Sequence, residues 1–412
     1  VRIALSKIRH TSGGIGLCWF GPAMLIPKAV EGDGTTAEIS GDLLMRISNT
    51  PLLLAALSVS GLAACGKTPA PKEEAPAASA PAKVEAPPAK PAFNASMLAA
   101  FKPGLPKEFD KKEDPISEEK ITLGRMLYFE KRLSKNHDIS CNSCHQLDKY
   151  GVDGEKTSPG HKAQRGDRNS PTVYNAAGHF VQFWDGRSPD VEDQATGPVL
   201  NPVEMALPDE AAVKAVLSSM PDYVAAFKKA FPNDKDPVSL KNAGRAMGAF
   251  ERRLVTPSPW DKLLAGDEKA LTEEQKAGFM TFMQSGCTAC HMGTLLGGTT
   301  YQKVGSVKPW PNQKDEGRFQ VTKKDTDKMM FKAPSLRNIT ETAPYFHDGS
   351  VASLDEAVKM MADHQLGRQL KDEEVKSIVA FLGALKGELP TEYIQEPKLP
   401  ESTATTPKAD PG

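Results

Sequence analysis

Apolar positions along this chain recur at helical spacing in several stretches, and strand-like alternation is scarce. Ser117-Glu118-Glu119 opens one stretch, placing Leu123, Met126 and Leu127 on a single face. Thr272-Glu273-Glu274-Gln275 has the form of a capping box ahead of Phe279 and Phe282, and Ser353-Leu354-Asp355-Glu356 is another. From Asp372 to Lys386 the residues Val375, Ile378, Val379 and Leu382 make an apolar stripe that Gly387 closes. The pattern predicts an all-α fold. Its first two helices each run into a short cysteine motif, so the halves read as distant repeats.

Those motifs are Cys141-Asn142-Ser143-Cys144-His145 and Cys287-Thr288-Ala289-Cys290-His291. Each sets two thiols one turn apart with a histidine beside the second, the arrangement that adds to the two vinyl groups of a haem and gives its iron an axial ligand. Disulfides or a zinc site would leave unexplained why histidine follows the second cysteine both times. The chain therefore reads as two cytochrome c-like domains, each enclosing one covalently bound haem c. Eight histidines are present, and spacing does not choose the second axial ligands among His137, His161, His179, His347 and His364. His10 lies far upstream.

Covalent haem and paired thiols both point away from a reducing cytoplasm. Upstream, Met45-Arg46 precedes the run Leu52-Leu53-Leu54-Ala55-Ala56-Leu57 with Val59 and Leu62, too short to span a bilayer. It ends in Leu62-Ala63-Ala64-Cys65, which resembles a bacterial lipobox, so 45–65 reads as a signal peptide. Cys65 then becomes the lipidated residue that holds the protein at a membrane in the periplasm. An ordinary cleaved signal with an incidental cysteine is the other reading. Residues 1–44, with Cys18 and Trp19, are expected to be an untranslated or non-native extension. Residues 66–92, rich in Ala and Pro, suit an extended tether. The remainder divides into 93–255 around the first haem motif, 256–388 around the second, and a C-terminal extension, 389–412. With 51 basic and 52 acidic residues the chain gives no support to a nucleic-acid role.

Between and after the cysteine motifs stand Asn169-Ser170-Pro171-Thr172, Phe183-Trp184-Asp185-Gly186-Arg187, Gln194, Gly197-Pro198-Val199, Asn201-Pro202-Val203-Glu204-Met205 and Pro344-Tyr345-Phe346-His347-Asp348-Gly349. In this order and spacing, over roughly Leu105 to Gly387, the chain resembles the bacterial dihaem cytochrome c peroxidases of the MauG-related superfamily. The resemblance implies that the N-terminal haem, on Cys141, Cys144 and His145, is the low-potential peroxidatic site, with His161 closing its distal face in the oxidised enzyme. It implies that the C-terminal haem, on Cys287, Cys290 and His291, is the high-potential electron-transfer site with a methionine ligand. A thioether favours ferrous iron, so that haem is reduced first. Met360 and Met361 both stand at the place of that methionine. Alignment of Met361-Ala362-Asp363-His364 favours Met361, and only one of two helical neighbours can face the iron. MauG-type enzymes, which oxidise a protein tryptophan, carry tyrosine there.

By the same resemblance, Glu204 shuttles the proton during O–O cleavage, Gln194 positions the peroxide, and Trp184 lies between the haems. One calcium ion is held by the Asn169 side chain and the carbonyls of Thr342 and Pro344. Read alone, Glu204 would be a surface or helix-start acid, Trp184 a buried aromatic, and the calcium positions ordinary turns. The expected substrate is hydrogen peroxide, the expected partners are a small donor such as a cytochrome c or a cupredoxin and a second copy in a homodimer. Two other functions remain: a membrane-tethered dihaem electron carrier, which has no need of Glu204 or Gln194, and a MauG-like oxidase, which Met361 disfavours.

Overall fold

The computed structural model describes residues 93–412; the expectations for Cys18, Cys65, the signal peptide and the tether lie outside them. The first half is built from α1 (Glu118–Tyr128), α2 (Cys141–Cys144), α3 (Val191–Gln194), α4 (Gly197–Leu200), α5 (Glu210–Ser218), α6 (Pro221–Ala230) and α7 (Leu240–Glu251). The second half contains α8 (Pro259–Leu264), α9 (Glu273–Gln284), α10 (Phe319–Thr322), α11 (Leu354–Met360) and α12 (Asp372–Gly383).

Each half rests on one crossed helix pair. In the first, the Ser117 hydroxyl caps α1 by accepting from the Lys120 amide at 3.3 Å. The helix then meets α7 at Gly124, where a Cβ would stand 1.9 Å from the Ala246 carbonyl oxygen. In the second, Thr272 and Gln275 cap α9 reciprocally. This helix meets α12 at Gly278, where a Cβ would stand 1.9 Å from the Ser377 carbonyl oxygen. Bare backbone at both crossings lets the helices touch. Leu123, Leu127, Tyr223, Phe227 and Met247 fill the first core, and Trp260, Phe279, Phe381 and Leu382 the second. The helix ahead of each cysteine motif is thus present, and the packing gives each a crossing partner, α7 for α1 and α12 for α9, of which the pattern had marked only α12.

Three features depart from the helical pattern. Strands β1 (Tyr301–Lys303) and β2 (Met330–Lys332) pair antiparallel, with Tyr301 opposite Lys332; at three residues each they are too short to show a period. The helix expected to reach Lys386 ends at Gly383. The chain ends are also exchanged. The turn Ala95–Phe101, grouped by sequence with the first half, packs into the second core, Phe101 lying 5.4 Å from Trp260 and 5.6 Å from Phe279 between ring centres. The C-terminal extension returns to the first half, where Tyr393 stacks on Phe250 at 5.1 Å and its hydroxyl donates to the Phe250 carbonyl at 2.8 Å.

At the seam, Asn175 and Asn338 each donate to the buried Thr256 hydroxyl at 2.9 Å. Each begins a matching segment. Asn175 precedes Phe183-Trp184-Asp185-Gly186 at the spacing by which Asn338 precedes Phe346-His347-Asp348-Gly349, and both segments turn back through a single antiparallel bridge, Gln182 with Ser188 and Tyr345 with Val351. His347 therefore occupies in the second half the place of Trp184 in the first.

Candidate active site and cofactor cradles

The second cysteine motif opens onto a cavity of about 240 Å³ whose wall includes Cys287, Cys290, His291 and Met361. Gly286, at φ +89°, turns the chain sharply into the motif, where Cys287–Ala289 forms a 3₁₀ turn. The His291 amide donates to the Cys287 carbonyl at 3.0 Å, and its ring Nδ1 lies 3.0 Å from the Leu296 carbonyl oxygen. With the Nδ1 proton held there, Nε2 keeps its lone pair for a metal. Burial lowers the pKa of His291, so the ring stays neutral as a ligand must. Met361 begins a π-turn, Met361–Gln365, that continues α11. Both methionines pack beside Trp310 and Phe331, but Met361 borders the cavity whereas Met360 turns to the cluster of Tyr345.

The first motif forms α2. Its Ser143 hydroxyl accepts from the Ser140 amide at 3.0 Å, the His145 amide donates to Cys141 O at 2.9 Å, and Tyr128 donates to His145 O at 2.8 Å. His145 Nδ1 lies 3.4 Å from Gly151 O, the counterpart of the His291 contact. Burial lowers the His145 pKa. All four motif thiols are free of disulfides, and burial pushes Cys141 up to about 12 and Cys144 and Cys287 to about 11.

His161 and Glu204 meet at a junction of two loops. The His161 amide donates to the Glu204 carbonyl at 2.8 Å, and Gly160 approaches so closely that a Cβ would stand 1.9 Å from Val203 O. His161 is buried and Glu204 half-buried. Burial raises the Glu204 pKa, while the Arg187 guanidinium and Asn201 oppose the rise. Arg187, which the sequence marks only as the end of the Phe183–Arg187 motif, lies 3.4 Å over the Phe183 ring and bonds both carboxylate oxygens of Asp185. Gln194 ends α3, half-buried. Trp184 borders the C-terminal cavity, as do Asn169, Thr342 and Pro344, and its indole donates to the Asn169 carbonyl at 3.0 Å.

The remaining histidines have other partners. His364 Nδ1 contacts Pro309 O at 2.9 Å, His179 Nδ1 pairs with Lys332 Nζ at 3.0 Å, and His347 stacks on Phe331 at 4.2 Å. His137 lies at a turn with φ +53°. Among the described residues no group of three His, Cys, Asp or Glu side chains could hold a metal by itself.

The family model described as "Di-haem cytochrome c peroxidase" matches residues 118–269. Cytochrome c551 peroxidase of Pseudomonas aeruginosa is 48% identical over 316 residues, covering 75% of this chain and 90% of that protein. The chain belongs to the dihaem cytochrome c peroxidase family. Cytochrome c551 peroxidase of Nitrosomonas europaea is 45% identical over 320 residues, covering 77% of this chain and 93% of that one. Among solved structures, a MauG-like protein associated with microbial copper homeostasis matches with TM-score 0.64 and 29% identity over 71% of this chain and 97% of its own. This family member is thus an oxidoreductase acting on hydrogen peroxide, and a dihaem peroxidase carries two haem c groups. The residues present fit them: two unpaired thiols and one neutral imidazole with its Nδ1 tied stand at each motif, and an apolar cavity with a thioether stands at the second.

Proposed function

We propose that this dihaem peroxidase reduces hydrogen peroxide to water in the periplasm, taking electrons from a small redox protein such as a cytochrome c or a cupredoxin. The junction at Glu204 carries the reading: its carboxyl is raised by burial, and its own carbonyl holds the loop of His161. Such a carboxyl takes a proton from one peroxide oxygen and returns it to the departing one. Gln194 orients the peroxide through its side-chain amide. With a haem held at Cys141 and Cys144, the His161 loop would close that site to peroxide and would withdraw once the C-terminal site is reduced. Two electrons and two protons then convert one peroxide to two waters.

Cys141 and Cys144 would hold one haem and Cys287 and Cys290 the other, His145 and His291 would ligate the irons, and Met361 would complete the second site. When bound, the haems supply the iron that stores donor electrons and delivers them to peroxide. Trp184 fills the space between the two sites. One calcium ion, bound by the Asn169 side-chain oxygen and the carbonyls of Thr342 and Pro344, suits hard oxygen donors on loops of both halves. The Asn169 amide nitrogen donates to Glu155 O at 3.0 Å, which leaves its oxygen for the ion. A lipid on Cys65 anchors the protein, and two copies form a homodimer.

The test mixes haem-loaded, calcium-loaded protein with peroxide and a reduced c-type cytochrome, in fully oxidised and half-reduced forms. Turnover after half-reduction alone is expected. Turnover in both forms would keep the peroxidase and remove the His161 gate, and turnover in neither would sink the reading.

A further inference from the structure

Arg168 and Asn169 form a two-residue clasp where the halves meet at Trp184. Arg168 Nε and Nη2 donate to Asp315 Oδ2 and Oδ1 at 2.6 and 2.9 Å, and Nη1 donates to Asp185 Oδ2 at 2.5 Å. Asp315 belongs to the second half, and Asp185 is the neighbour of Trp184. The next residue works through its backbone: the Asn169 amide donates to His347 O at 2.8 Å, and its carbonyl accepts the Trp184 indole N–H at 3.0 Å. On the other side, the Trp184 carbonyl accepts from the Lys332 amide at 2.8 Å.

The guanidinium is 17% exposed and its partners Asp315 and Asp185 are 9% and 5% exposed, so Arg168 holds buried Asp315 with a forked, charge-assisted pair and shares buried Asp185 with Arg187. Asp315 is itself fixed, accepting from the Gly317 amide at 2.8 Å. Arg168, Asp315 and Asp185 form one linked set beside Trp184. What they share is the position of the indole.

We infer that Arg168 is a positioning residue for electron transfer between the two haem sites, its grip on Asp315 fixing where Trp184 stands. The inference rests on the reading that places Trp184 on the electron path. In that step one electron leaves the C-terminal iron, which is oxidised, and arrives at the N-terminal iron, which is reduced; no bond is made or broken. Tunnelling weakens steeply with distance, so a tilted indole slows transfer while both sets of iron ligands stay as they are.

The test uses half-reduced, haem-loaded protein mixed with saturating peroxide, following the loss of the reduced C-terminal haem band in a single turnover. R168Q and D315N are expected to slow this by about tenfold or more, with haem content and both reduction potentials unchanged. The double variant is no slower than the slower single one, because both remove one interaction. R168K, which keeps the charge without the fork, behaves like R168Q. Hydrogen–deuterium exchange quickens over 167–170 and 183–188 and at the amides bonded to this set, Gly317 and Lys332, a readout independent of electron flow. Should R168Q lose haem, D315N, nearly isosteric with the native side chain, carries the test. Transfer within about twofold of wild type in D315N and R168K, or unchanged exchange at 183–188, overturns the clasp. W184F separates the two readings: a slow W184F beside a fast D315N removes the clasp alone, whereas a fast W184F removes the electron path and the clasp with it.

Discussion

Glu204 shows how far a single residue can be read before its surroundings are seen. Its sequence context, Asn-Pro-Val-Glu, is that of an ordinary turn, and only the family motif marks it as an acid–base group. The structure adds the physical reason: burial lifts its pKa, with Arg187 and Asn201 pulling the other way. In the proposed cycle the carboxylate acts first as a base, so activity should fall as pH drops through this raised pKa. Replacement by glutamine keeps the shape and removes the proton relay. E204Q is expected to lower kcat by ~10²–10⁴ and to lose the acidic limb of the kcat/KM profile, measured by cytochrome oxidation across pH. An unchanged profile would assign that limb to another group. The haem motifs were legible because their chemistry is local, five residues in a row. Arg187, Arg168 and Asp315 were not, since an arginine on a loop carries no sign of which distant carboxylate it meets. One signal did stand in the sequence, the repeated Phe-x-Asp-Gly turn at Phe183 and Phe346, which marks Trp184 and His347 as counterparts.

At the scale of elements, capping and periodicity gave three of the four helices that cross, α1, α9 and α12, because Ser117, Thr272 and the apolar stripes act within a few residues, whereas α7 went unread. The short turns around the ligands escaped that reasoning. The 3₁₀ turn at Cys287 and the π-turn at Met361 are set by what they pack against, and three-residue strands are below the length at which alternation is visible. The closest approach of α9 and α12 depends on Gly278, whose missing side chain admits the Ser377 carbonyl. G278A must push the helices apart, an overpacking cost of about 1–3 kcal/mol even though alanine is the better helix former. Denaturant unfolding of the haem-loaded protein should show that loss, together with a change in the C-terminal haem spectrum. A G278A protein as stable as wild type would mean that the crossing tolerates a methyl group.

For the whole molecule, the exchange of chain ends matters most and was the least visible beforehand, because its contacts join residues more than a hundred positions apart in a tail without period. Phe101 is embedded with Trp260 and Phe279 of the second core, while the tail runs back over the first half. Along that tail Arg132 donates to Pro400 O at 2.8 Å, Thr403 donates to Ser219 O at 2.9 Å, and the Asp410 amide donates to Lys135 O at 2.9 Å. Lys135 in turn donates its amide to Met205 O at 2.8 Å, next to Glu204, so the strap ends beside the Glu204 turn. Neither half can then unfold without releasing an end of the chain from the other, which couples them into one transition. Cutting after Glu388 removes the strap and uncovers Phe250, leaving the second half with its core complete. The truncated protein is therefore expected to melt in two steps by calorimetry, the first half at the lower temperature, where the full chain melts in one. Y393A should reproduce part of the effect, costing about 2–3 kcal/mol through the lost stack on Phe250. A single transition at an unchanged temperature after truncation would show that the seam at Thr256, with its two asparagines, is enough to hold the halves together.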